Sequence, residues 1–168
     1  MKNKHYILLI ILTFFATISC NKKVDSSIYD KELYVFWSDS LMNKQIYRQT
    51  VKKTDSLIKH YFNNLEKSEK DMEFNYYPKL NKLISFLDDE FKEKGTVDIK
   101  FNQEKVTFKK FRLLYPEVDG TELILFNKEY GVLAVLNSYA PDLFYLPINK
   151  NEFVFDSIVK DVRSLRYE

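Results

Sequence analysis

The amino-acid sequence predicts an α+β fold: a helical hairpin, then a four- or five-stranded antiparallel sheet, then a C-terminal helix. Three observations predict it. Apolar residues recur at steps of three and four between Tyr47 and Leu65. Just past Gly95 the apolar period drops to two, and helical spacing returns between Phe155 and Leu165.

The first element opens after a short apolar run, Leu33, Tyr34, Val35, Phe36 and Trp37. Ser38, Asp39 and Ser40 follow it, residue types that cap helix N-termini. Tyr47, Val51, Thr54, Ile58, Tyr61 and Leu65 then stay on one helical face, widened by Leu57 and Phe62, and predict a helix over 40–67. Pro78 suits a first helical position, and Leu80, Leu83, Ile84, Leu87 and Phe91 make a second stripe. Lys92 and Lys94 complement the dipole of a last turn, with Gly95 free to take a left-handed cap. A second helix over 78–94 would therefore pack antiparallel on the first.

Beyond Gly95, Val97, Ile99 and Phe101 alternate with Asp98 and Lys100, as on a half-buried strand. Val106 and Phe108 lie at even positions but Phe111, Leu113 and Tyr115 at odd ones, which predicts a bulge at Lys109-Lys110. Asp119-Gly120 is a hairpin signal. The segments 123–126 and 132–136 are apolar on both faces and read as central strands, so both faces of the sheet should be covered. A last edge strand over 143–146 ends at Pro147, and Phe155, Ile158, Val159, Val162 and Leu165 share one face of a helix over 151–165.

The N-terminus follows a different logic. Lys2 and Lys4 precede an apolar run from Tyr6 to Ile18, about 20 Å as a helix and too short for a ~30 Å hydrocarbon core. This is the pattern of a cleaved signal over residues 1–19. The run ends in Thr17-Ile18-Ser19-Cys20, which resembles the lipobox of bacterial lipoproteins, although Thr17 stands where that family prefers leucine. The resemblance covers the first 20 residues only. It implies cleavage between Ser19 and Cys20, a diacylglyceryl group on the Cys20 thiol, and a cell-envelope protein anchored to a membrane by lipid, facing the periplasm. Cys20 is the only cysteine, so no intrachain disulfide can form, and lipidation would remove an unpaired exported thiol. The polar segment 20–31 reads as a lipidated tether and 32–168 as one globular domain.

Removing the signal takes Lys2 and Lys4 with it and leaves 24 basic against 24 acidic side chains, which argues against nucleic acid or a polybasic membrane surface as a partner. With glycine only at positions 95, 120 and 131, no Gly-x-Gly loop exists to cradle a phosphate, and no cofactor is expected.

Candidate chemistry is sparse. His60 is the only histidine after the signal, and the helical reading puts it on a solvated face, so no multi-histidine metal site can form. Asp88, Asp89 and Glu90 diverge around a helix rather than converging, and Asp119 reads as a turn former. No catalytic and no metal-ligating residue is assigned. Tyr34, Phe36, Trp37, Tyr139, Phe144 and Tyr145 are candidates for an aromatic platform, though such residues more often fill cores. Tyr139 and Asp142, at a loop over 137–142, are the candidate ligand-binding residues.

These readings favour a non-enzymatic, membrane-anchored binding or envelope-interaction module whose partner is protein or cell-wall material. An immunity-type protein that blocks a toxic partner is one specific version. The alternatives are a carrier of a small lipid or glycan held between helices and sheet, and an envelope hydrolase built on two carboxylates.

Overall fold

Two-residue alternation, not helical spacing, organises the first half of the chain. The computed structural model describes residues 25–101, 104–115, 120–148 and 152–167. Ten strands follow one another: β1 (Asp25–Trp37), β2 (Ser40–Lys53), β3 (Ile58–Asn64), β4 (Met72–Tyr77), β5 (Lys82–Ile84), β6 (Glu90–Phe101), β7 (Glu104–Leu113), β8 (Thr121–Asn127), β9 (Gly131–Asn137) and β10 (Asp142–Pro147). Each pairs antiparallel with its neighbour in sequence, and β1 pairs with β10, so the sheet closes into a barrel without a free edge strand. One helix follows, α1 (Glu152–Ser164), continued by a 3-10 turn over Leu165–Tyr167.

The expected helical hairpin does not exist; the α+β prediction is corrected to a closed ten-stranded antiparallel barrel with one C-terminal helix. The segment 40–67 is the β2–β3 hairpin. Its inward positions are Gln45, Tyr47, Gln49 and Val51 on one strand and Ile58, His60, Phe62 and Asn64 on the other. Half of these inward residues are polar, so the apolar residues alone show no alternation, and those left over mimic steps of three and four. The segment 78–94 is a 3-10 turn at Pro78–Leu80, then β5, a turn and the start of β6. Of its apolar stripe only Leu83 and Phe91 are buried, facing each other across the β5–β6 pair, while Leu80 and Leu87 are exposed. Gly95, expected to cap a helix, sits at a bulge in β6 with φ +137°. Strand β1 starts at Asp25 and so takes up residues 25–31, within the stretch read as tether. The signal segment, Ser19 and Cys20 lie outside the described residues, as does Asp119.

The strands expected after Gly95 are present, and so is the C-terminal helix, but the last strand, expected at an edge, is β10, which pairs with β9 on one side and β1 on the other. The bulge expected at Lys109-Lys110 lies instead on the partner strand, where register shifts between Glu93 and Gly95 opposite Phe111 and Lys110. Strand β7 itself keeps its alternation: Phe111 and Leu113 point into the barrel, while Val106 and Phe108 point to an outer cluster.

Two apolar clusters account for the burial. The inner one fills the barrel, whose ten strands enclose more room than short aliphatic side chains can occupy. Aromatic rings do most of the filling: Tyr47, Phe62, Phe74, Tyr76, Phe91, Phe111, Phe126 and Tyr145. Edge-to-face pairs such as Phe62–Phe74 (5.8 Å, 86°) and Phe111–Phe126 (6.0 Å, 81°) lock them. The outer cluster lies between α1 and the outside of β8, β9 and β10. Leu123, Leu125, Leu133, Leu136, Phe144 and Leu146 meet Ile158, Val159, Val162 and Leu165 there. The far half of the β6–β7 hairpin adds Ile99, Phe101 and Phe108 to this layer. That is why β8 and β9 are apolar on both faces.

One end of the barrel interior is polar. Gln49 Nε2 lies 2.8 Å from His60 Nδ1 and donates to the Tyr130 carbonyl at 3.2 Å. The carbonyl fixes which end of the amide points inward, so Nδ1 of His60 accepts and Nε2 carries the proton. Lys31 Nζ donates to the same carbonyl at 2.6 Å. His60 is fully buried; burial first, then the charges of Lys31 and Lys53, push its pKa from the ordinary 6.5 down to about 3. Gly131, at φ +84°, makes room for this cluster, since a β-carbon there would overlap Gln49 Nε2 and stand 2.9 Å from His60 Nδ1.

Gly131→Ala should therefore lower stability by about 1–3 kcal/mol through backbone strain and displacement of Gln49. Urea denaturation measures this, and Gln49→Ala in the same chain should recover part of the loss. The histidine gives a pH signature. Between pH 6.5 and about 3 the unfolded chain binds a proton that the folded chain refuses, so stability falls with falling pH. The contribution is roughly 1.4 kcal/mol per pH unit. His60→Gln should flatten the slope of unfolding free energy between about pH 6 and 4 by that order, and an unchanged slope would contradict the assignment.

Candidate functional site

A cleft of about 500 Å³ opens where β1 ends, β9 passes into β10, and α1 runs out. Phe36, Trp37, Ser38 and Asp39 form one wall, Asn137, Ser138 and Tyr139 the other, and Asp142, Arg163 and Arg166 the floor. The wall from β1 turns sharply because Ser38 takes a left-handed conformation, φ 51°, in the two-residue turn to β2. The sequence Trp37-Ser38-Asp39-Ser40, read as a helix cap, is therefore a hairpin turn that leaves Trp37 about half exposed (53%).

Asp142 organises the floor. It is the first residue of β10, faces α1, and is 5% exposed. Its Oδ2 accepts from Arg163 Nε at 3.2 Å, and its Oδ1 accepts from Arg166 Nη2 at 2.6 Å and from the Asn137 N–H at 3.2 Å. Arg163 reaches further, donating from Nη1 to Asp39 Oδ1 at 3.1 Å and from Nη2 to the Ser38 carbonyl. Its guanidinium lies 4.9 Å from the centre of the Phe36 ring, a cation–π contact. Arg166 Nε forms an ion pair with Glu122 Oε2 at 2.8 Å, and its Nη2 also donates to the Asn137 carbonyl at 3.2 Å. Ser138 Oγ donates to Glu122 Oε1 at 3.0 Å. Position in the last turn of α1 favours Arg163 further, because the helix dipole is negative there.

The chemical character of the cleft follows. Two guanidinium groups face three carboxylates (Asp39, Glu122 and Asp142), so the floor is internally paired and carries no spare positive charge for an anion. Above it stand two aromatic side chains with open faces, Trp37 and the 71% exposed Tyr139.

The structure thus brings the two candidate residues Tyr139 and Asp142 into one cleft. Of the other aromatics proposed as a platform, Phe36, Phe144 and Tyr145 are buried and Tyr34 is half-buried against Phe155. Asp88 and Asp89 lie in the β5–β6 turn, and Glu90 at the start of β6 pairs with Lys82 at 2.9 Å. Among the described residues, no group of three or more His, Cys, Asp or Glu side chains converges as a metal site would require. No helix among them is long and apolar enough to cross a membrane. Sequence reasoning missed Arg163 and Arg166. Their spacing of three on a helix, which puts two cations on one face, was the available signal.

Asp142→Asn should cost about 2–4 kcal/mol in denaturant unfolding, because it leaves two partly buried guanidiniums short of a counter-charge. Asp39→Asn, at a 99% exposed side chain, should cost under about 0.5 kcal/mol. Comparison of the chain with protein-family models, with curated proteins and with solved structures found no match, so the site has to be read from its own geometry.

Proposed function

We propose that this protein is a non-enzymatic binding module held at a bacterial cell envelope by lipid on Cys20, and that its cleft takes up a neutral, hydroxyl-rich ligand of the cell-wall glycan type. The observation that carries the reading is the combination of two open aromatic faces, Trp37 and Tyr139, with a floor of charge-paired Asp and Arg side chains. Aromatic rings offer flat apolar area to the C–H faces of a sugar at little entropic cost. The edges of Asp, Arg and Asn side chains offer fixed donors and acceptors to its hydroxyls. A paired floor discriminates against phosphates and other anions.

Binding is favoured over hydrolysis by the state of the carboxylates. Glycoside cleavage needs one carboxyl free to give a proton and another free to attack or to activate water. Asp142 has both oxygens engaged, and Asp39 shares Arg163 with it. The carrier alternative, as drawn from the sequence, placed its ligand against a helical hairpin that the chain does not form. A protein partner is the second reading, favoured by exposed Leu41 and Met42 beside Trp37 at the β1–β2 hairpin tip. The anchoring half of the proposal rests on the lipobox-like segment and on Cys20 being the only thiol.

Calorimetric titration with short N-acetylhexosamine oligosaccharides tests the cleft. Trp37→Ala and Tyr139→Ala should each weaken binding about tenfold, or about 1.4 kcal/mol, with stability nearly unchanged. A wild-type protein that binds no oligosaccharide, or binding indifferent to both substitutions, would sink the glycan reading. In the same expressing cells Cys20→Ser should leave the membrane fraction or accumulate unprocessed, and an acylated, membrane-bound product would overturn the anchor.

A further inference from the structure

The β1–β10 seam has a second cleft at its other end. It encloses about 500 Å³ between Tyr29, Lys31, Val106, Glu129, Tyr130 and Pro147. Asp30, Asn127 and Glu129 share its wall with Lys31, the remaining surface is apolar, and Lys31 is unusual. Only 4% of it is exposed, and its Nζ makes a single hydrogen bond, to the Tyr130 carbonyl at 2.6 Å, of the three an ammonium can make. The same nitrogen lies 3.4 Å from the centre of the Tyr130 ring and 5.9 Å from that of Phe62. Among the described residues, no carboxylate is its partner. The two acids of the cleft wall are engaged elsewhere: Asp30 with Arg48 at 3.0 Å, and Glu129 with Lys53.

A cation buried without a counter-ion is destabilising and is retained only if it can shed its proton or meet an anion. Burial alone already draws the Lys31 pKa well below 10.5. The neighbouring groups supply no relief. His60 Nε2, which carries a proton, and Gln49 Oε1 are themselves buried without partners. The missing component is an acceptor delivered from the cleft side, and the apolar wall specifies what must be attached to it.

We propose that this cleft binds a single-chain amphiphile, a carboxylate head pairing with Lys31 and an apolar tail lying along Val106, Tyr130 and Pro147. The head completes the hydrogen bonding of the ammonium. The tail covers surface that water otherwise wets. An inorganic anion fills the first role but not the second, and a neutral lipid the second but not the first. The site is distinct from the aromatic cleft, at the opposite end of β1 and β10 and roughly 20 Å away along the strands.

Titration of the mature chain with dodecanoate, methyl dodecanoate and inorganic phosphate separates these cases. Dodecanoate should bind at least tenfold more tightly than the methyl ester, and phosphate should not bind measurably. Lys31→Met should abolish that preference while leaving ester binding in place. Val106→Trp, which fills the cleft without touching the cation, should weaken both amphiphiles at least tenfold. Because burial lowers the Lys31 pKa, repeating the titration at rising pH should erase the wild-type preference for dodecanoate below the usual lysine range, with no such pH dependence in Lys31→Met, a readout that loss of packing does not produce. Equal affinity for acid and ester, binding unaffected by Val106→Trp, or phosphate binding as tight as dodecanoate would each overturn the proposal. Oligosaccharide binding by the Val106→Trp protein should match wild type, so failure here and failure of the glycan reading are separable.

Discussion

Six residue pairs hold the molecule's chemistry together. They run from Lys31 opposite Pro147 to Phe36 opposite Asp142, and join the first strand to the last. Closure satisfies the backbone groups of what would otherwise be two edge strands. It also gives each cleft its second wall, since Lys31 and Pro147 meet at one end while Phe36 and Asp142 meet at the other. Helix α1 fastens the seam from outside. Arg163 and Arg166 grip Asp142, and Phe155 packs on Tyr34 and Phe36, with centroids 4.4 Å and 5.7 Å away. Both clefts are thus products of joining the chain's two halves, and neither belongs to a single hairpin.

The barrel is asymmetric in what it buries. Strands β8 to β10 have apolar neighbours on both faces, one side in the barrel and the other under α1. Strands β2 to β4 have only the interior, and their outer faces carry charged pairs such as Lys59–Glu73 at 3.3 Å. The polar cluster of Gln49, His60 and Lys31 is contributed by β1 to β3 but collects on the carbonyl of Tyr130, just before β9. Polar interior groups therefore stand where the thinly covered strands meet the thickly covered ones. Gly131 is the residue whose missing side chain lets them fit.

This asymmetry explains what could be read from the sequence. Strands β8 and β9 were legible because burial on both faces makes them continuously apolar, and α1 because one covered face leaves a stripe. Strands β2 and β3 were illegible because Gln45, Gln49, His60 and Asn64 point inward, breaking alternation at the polar positions that shape the interior. The second false helix arose from Leu80 and Leu87, apolar residues at helical spacing that the fold leaves in solvent. The β1–β10 pairing has no local signature at all. Of the aromatic cleft, Tyr139 and Asp142 stood out as residues of a punctuated loop, but the partners that give Asp142 its role come from α1. Lys31 was hidden because it belongs to a polar stretch that resembles a tether and becomes strand only when β2 pairs with it.

The seam also governs how the chain reaches this state. Its partners are separated by 106 positions (Phe36 and Asp142) to 116 positions (Lys31 and Pro147), whereas every other strand pair joins sequence neighbours. Hairpins from β2 to β9 can form early at small loop-closure cost, but the last step must bring the chain's extremities together. Until it does, β1 and β10 offer open hydrogen-bonding edges to any other strand nearby. The interval before closure, rather than any weakness of the finished barrel, is when one copy of this chain is most exposed to pairing with another.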